Sequence, residues 1–98
     1  MEREGDPRQR ALALLESQHA FPGPFEFRVV LRPEGRAAAL GALMSAAGPD
    51  SSLIDVTERA SHAGRYLALR VKVQLDRAEQ VLDVYEVLKE VDEVITAL

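Results

Sequence analysis

Residues 61–75, Ser-His-Ala-Gly-Arg-Tyr-Leu-Ala-Leu-Arg-Val-Lys-Val-Gln-Leu, join a turn to the longest alternating run in the chain. Leu67, Leu69, Val71, Val73 and Leu75 interleave with Tyr66, Ala68, Arg70, Lys72 and Gln74, the period of two that sends one face of a strand into a core and the other into water. Such a strand needs a neighbour on each edge and an apolar layer over one face. Immediately upstream, Leu53–Ala60 reads as its hairpin partner. With Ser61-His62-Ala63-Gly64 as the loop, Thr57 faces Ala68, Val56 faces Leu69 and Asp55 faces Arg70. Ile54 and Val56 then fall on the core side, and Asp55 and Arg70 form an opposite-charge pair outside. A one-residue slip would move Ile54 and Val56 into water.

Downstream, Asp76-Arg77-Ala78-Glu79 has the form of a capping box, and Ala78, Val81, Leu82, Tyr85 and Leu88 make the apolar stripe of a helix that ends near Val91. Glu93–Leu98, with Val94, Ile95 and Thr96, closes the chain as a strand. Upstream, Phe25, Phe27, Val29 and Leu31 alternate with Glu26, Arg28, Val30 and Arg32 as the first strand of the sheet. Pro33-Glu34-Gly35 breaks it, and Ala37, Leu40, Leu43, Met44 and Ala47 recur at helical spacing up to Gly48-Pro49. A helix before the first strand starts at Asp6-Pro7, with Asp6 as acceptor for backbone N–H groups, and runs to about Glu16 or Ser17.

The order after that first helix is strand, helix, strand, strand, helix, strand. Two right-handed crossovers around a central hairpin predict an α+β, ferredoxin-like βαββαβ sandwich. Its four-stranded antiparallel sheet has the first and third strands in the middle and both crossover helices on one face. Ninety-eight residues make one domain, expected over residues 6–98, with Met1–Gly5 as a disordered charged end.

Composition bounds the function. A net charge of −4 argues against wholesale binding to nucleic acid or anionic membranes. The absence of cysteine removes disulfides, thiolate metal sites and cysteine nucleophiles. No apolar run approaches a membrane span and the first residues are too charged for a signal peptide, so a cytoplasmic location is expected.

Phe21-Pro22-Gly23-Pro24-Phe25 before the first strand, Ser61-His62-Ala63-Gly64-Arg65-Tyr66 at the hairpin, Glu79-Gln80-Val81 with Tyr85 and Leu88 in the last helix, and the terminal Val94 to Leu98 occur in an order that resembles the YbeD-like family of small uncharacterised bacterial proteins. The resemblance covers roughly Leu14 to the end. It implies a ferredoxin-fold domain similar to the ACT regulatory domains attached to some biosynthetic enzymes. It also implies an association, in some genomes, with lipoate-synthesis genes. The charged N-terminal extension and the alanine-rich first crossover helix depart from the family pattern.

Three classes of function are weighed on the residues. Arg28, Arg59, Arg70 and Lys72, with Arg32, project from the open sheet face against Glu26 and Asp55, and Val30, Leu53, Tyr66 and Ala68 add apolar area among them. That surface suits a protein partner, a second copy included; a solvated face laced by salt bridges is the plainer reading. RNA recognition by such a sheet stacks bases on aromatics of the central strands, and Tyr66 is the lone aromatic there. In ligand-binding relatives of the fold the loop from the first strand to the first crossover helix holds a small effector. Here that loop is Arg32-Pro33-Glu34-Gly35-Arg36, so Arg32, Gly35 and Arg36 are the candidate ligand-binding residues, against the alternative of a plain connection. Catalysis is not expected. His19 and His62 have no second ligand at metal spacing, Ser61 and His62 are adjacent in a turn, and the asparagine that acylphosphatases of this fold need is missing from the chain. No cofactor is expected.

Overall fold

The structure is a computed structural model that describes residues 6–98; the expected disorder of Met1–Gly5 lies outside the described residues. The elements are α1 (Pro7–Gln18), β1 (Gly23–Leu31), a 3-10 turn over Pro33–Gly35, α2 (Arg36–Ala47), β2 (Ser52–Ser61), β3 (Tyr66–Leu75), α3 (Ala78–Leu88) and β4 (Val94–Ala97). The strands form one antiparallel sheet in the order β2-β3-β1-β4, the ferredoxin-like α+β arrangement. β1 and β3 run side by side from Gly23 opposite Leu75 to Leu31 opposite Leu67. Their alternation therefore places Phe25, Phe27, Val29 and Leu31 beside Leu67, Leu69, Val71, Val73 and Leu75 in the core.

Over that inner face lie Ala39, Leu43 and Ala47 of α2 and Val81, Val84 and Leu88 of α3, all buried. Each buried leucine, valine or phenylalanine side chain contributes roughly 1.5–3 kcal/mol of transfer free energy, which is why the two-residue and helical periods so strongly determine this layer. Ala37, expected in the α2 stripe, is exposed, and the buried row starts two residues later at Ala39. Phe25 and Phe27 (centroids 4.9 Å apart, tilted) and Phe27 and Tyr85 (5.5 Å, edge-on) continue the core as aromatic pairs.

Three expectations are corrected. The hairpin loop is His62–Arg65, one residue later than expected, with Ser61 opposite Tyr66. The register therefore moves by two residues, so Val56 faces Val71, Asp55 faces Lys72 and Thr57 faces Arg70. A shift of two keeps the side chains from Asp55 to Ala60 on their expected faces, and there only the partners change. The expected Asp55–Arg70 pair does not form; Arg70 Nε sits 3.7 Å from Glu26 Oε2 on β1. The second correction concerns Ile54, which is 49% exposed, as is Leu53. A bulge between Leu53 and Asp55 interrupts the ladder there, and β2 is an edge strand with only Val56 packed against the core. The third is the cap of α3, which is built one residue later, on Arg77 and Gln80 rather than Asp76 and Glu79. Gln80 Oε1 accepts from the backbone N–H groups of Asp76 and Arg77, both at 2.7 Å, while its Nε2 donates to the Ala47 carbonyl at 2.6 Å. A carboxylate at that place could accept but could not donate to Ala47.

Candidate functional site

β1 and β3 have to send their even-numbered side chains away from the helices, because the odd-numbered ones fill the core. The outer face therefore carries rows set by the register. Asp55, Lys72 and Glu26 lie across the sheet in one row, Thr57, Arg70 and Arg28 in the next, and Arg59, Ala68, Val30 and Thr96 in the third. Ser61 and Tyr66 close the hairpin end, where His62 meets Tyr66 edge-on at 5.6 Å. Four cations, Arg28, Arg59, Arg70 and Lys72, thus stand against two carboxylates, Glu26 and Asp55. Glu26 is shared between Arg70 at 3.7 Å and Arg28 at 4.0 Å, so one carboxylate serves two guanidinium groups. Both arginines are more than half exposed, and pairs of this kind contribute about 0–1 kcal/mol to stability. They leave the face positive rather than holding the fold together.

α1 could have covered this face and does not. It packs beside α3, with Arg8 Nη2 3.2 Å from Asp83 Oδ1 and Leu15 against the core. Among the described residues the outer face is uncovered, with a shallow depression of about 150 Å³ lined by Glu26, Asp55, Thr57, Arg70 and Lys72. Arg32, grouped with the face in the sequence, lies off it. Its guanidinium is 3.6 Å from Glu34 and donates to the Asp92 carbonyl. Leu53, placed among the outer apolar residues, instead stands opposite Val73 at the bulge.

The three loop residues are brought together differently. Gly35 is buried, its N–H donating to the Arg32 carbonyl, and a Cβ built on it would run into Cβ and Cγ of Glu93. The Glu93 side chain thus occupies the space beside the start of α2. Arg36 is turned toward β2, where its Nε donates to Glu58 Oε1 at 2.7 Å. An anion approaching this loop would meet a carboxylate and an arginine already paired.

Sequence reasoning missed a cleft of about 590 Å³ between α3 and β4, lined by Tyr85, Lys89 and Val94–Leu98. Its one charged lining residue is Lys89. The signal was the position of the short last strand at the sheet edge, which is legible only once Tyr85 on α3 is known to stand over it. Burial raises the Tyr85 hydroxyl pKa above its ordinary 10.0. Elsewhere, His19 packs edge-on against Phe25 at 4.9 Å. Among the described residues no group of three or more histidine, aspartate or glutamate side chains is placed to hold a metal ion. Among the described residues, likewise, no helix is long and apolar enough to cross a membrane.

Comparison with solved structures finds the same fold at low identity. The C-terminal domain of the MgtC protein from Mycobacterium tuberculosis superposes with a TM-score of 0.68 at 12% identity, over 83% of this chain and 88% of that one. The ACT domain from the GTP pyrophosphokinase of Chlorobium tepidum gives 0.60 at 13%, over 76% and 94%. Protein HP0495 from H. pylori gives 0.61 at 12%, over 86% and 92%. No curated protein matches. Residues 16–98 match the model of a protein family of unknown function, DUF493.

Proposed function

The chain belongs to the DUF493 family, and from that premise we propose that it is a non-enzymatic regulatory or interaction domain that binds a protein partner through the open face of its sheet. The observation that carries the reading is the uncovered outer face, where Arg28, Arg59, Arg70 and Lys72 surround the half-buried Tyr66, Ala68 and Val30. A patch of arginine and tyrosine around a small apolar centre, with cations in excess, suits an acidic protein surface. Two of the similar folds are domains of larger proteins, which is in keeping with a module that acts by contact. A cytoplasmic setting, where such a partner would be met, belongs to the same reading.

A small-molecule sensor at Arg32, Gly35 and Arg36 is the rival. It is weaker because Glu93 fills the space at Gly35 and Glu58 engages Arg36. A thermal-shift screen against amino acids and lipoyl precursors separates the two. A ligand at about 100 times its Kd would stabilise the fold by roughly 2.7 kcal/mol, whereas the interaction reading expects no shift.

The direct test is affinity capture from native cell extract with the wild-type chain and with Arg70→Glu. Reversing that charge places a second carboxylate beside Glu26 on an exposed site, so folding is retained and the captured partner is lost. A partner retained at wild-type level by Arg70→Glu would move the binding surface elsewhere.

A further inference from the structure

β2 is unlike the other three strands. It lies at the sheet edge with β3 as its sole neighbour, runs ten residues from Ser52 to Ser61, and is exposed along its whole length except at Val56. Its helix-side residues Glu58 and Ala60 are uncovered as well, Glu58 meeting Arg36 of α2, and Ile54 in the bulge is 49% exposed. A long open edge carrying Leu53, Ile54 and Val56, with no proline in it, is a template for another strand.

We infer that β2 pairs antiparallel with β2 of a second copy of this chain, with the two-fold axis passing between the two Thr57 residues. The inference deepens the interaction reading and rests on it for the premise that the domain works by binding; it adds a partner and a surface separate from the sheet face. The pattern of charge selects the register. A two-fold axis perpendicular to the sheet must cross a residue position, since an axis between positions would pair core-side with outer-side residues. Centring on Asp55, Glu58 or Arg59 would set each residue against its own twin, carboxylate on carboxylate or guanidinium on guanidinium. Centring on Val56 pairs Asp55 with Thr57 and Ile54 with Glu58, and forms no ion pair. Centring on Thr57 sets Asp55 against Arg59 of the other copy twice over, and sets Val56 against Glu58 on the helix side. Asp55, already opposite Lys72 on β3, would then stand between two cations, and Arg59, which is opposite Ala68, would gain a carboxylate. The product is one continuous eight-stranded sheet.

Sedimentation of the full chain from micromolar to millimolar concentration, with circular dichroism to confirm folding, tests this. The wild type is expected to dimerise. Asp55→Arg and Arg59→Asp are each expected to weaken the dimer by about tenfold, because two attractive pairs become repulsive in each. The double variant D55R/R59D is expected to regain the wild-type dissociation constant. Thr57→Cys, the one thiol in a chain that has none, is expected to form a disulfide-linked dimer on mild oxidation. A chain that stays monomeric, a dimer indifferent to the swaps, or a dimer in which Thr57→Cys does not cross-link would overturn the inference. None of those results touches the capture experiment with Arg70→Glu, which reads the sheet face alone.

Discussion

Gln80 carries more of the architecture than any other polar side chain. It is 5% exposed, yet all three of its hydrogen bonds go to backbone groups, two at the start of α3 and one at the end of α2. It joins the two helices of the layer where their chain termini converge. Truncation in Gln80→Ala leaves a buried carbonyl and two N–H groups without partners, and is expected to cost about 2–4 kcal/mol in a urea denaturation series. Gln80→Glu keeps the two acceptor bonds and loses the donor, so it should also destabilise, by direct confrontation of the carboxylate with the Ala47 carbonyl. The sequence suggested an acidic box on Asp76 and Glu79; burial under α2, which no local pattern reports, moves the role to the neutral amide. The hairpin tip is the second informative point. His62, Ala63 and Gly64 have φ of 51°, 57° and 84°, three left-handed residues in succession of which only one is glycine. Ala63→Gly removes the Cβ penalty and adds unfolded-state entropy, leaving an expected net gain of about 0.5–1 kcal/mol. The same urea series measures it.

Among the elements, α1, β2 and the short β4 contain no buried side chain, and of these α1 and β2 are the long ones. α1 is held by its cap, where Asp6 Oδ1 accepts from the Gln9 N–H at 2.8 Å, by the Arg8–Asp83 pair and by Leu15. Asp6→Ala is expected to cost about 1 kcal/mol. The loss should be local, appearing as faster amide exchange in the first turns of α1 while exchange in β1 and β3 stays unchanged. The ends of α1, the bounds of β3 and the alternation of β1 were legible because caps, proline and period two are local signals. The exposure of β2 was not. Its sequence alternates as well as that of a central strand, and whether an apolar residue such as Ile54 is covered depends on how far the helices reach across the sheet. The hairpin register has the same origin. A loop starting at Ser61 or at His62 satisfies the facial pattern equally, and the choice lies in backbone geometry at the tip.

For the molecule as a whole, the division of labour is between an apolar inner face that fixes the fold and a charged outer face that it leaves free. Tyr85 links the helical layer to the β4 cleft and gives the fold a pH signature. Because burial raises its pKa above 10.0, the folded chain holds the phenolic proton more tightly than the unfolded chain does. The contribution is fully present below the unfolded pKa near 10 and is lost as pH rises from there through the higher folded value. Denaturation midpoints measured on either side of pH 10 should therefore fall on the alkaline side, and fall less in Tyr85→Phe. The positive character of the outer face was readable from Arg28, Arg70 and Lys72, since a strand that buries its odd residues must display its even ones. The pairing of Arg70 with Glu26 instead of Asp55 was not readable, because it depends on the two-residue change in the hairpin.

The order of elements, the faces of the central strands and the absence of any thiol chemistry follow from the residues alone, because each rests on neighbours within a few positions of one another. Which polar group could be buried, which edge strand stayed bare and which carboxylate met which guanidinium depended on segments distant in the chain coming to lie side by side. Glu93 against Gly35 and Gln80 against Ala47 are contacts of that second kind: their partners are chosen by the packing of the helices on the sheet, and no local pattern encodes it.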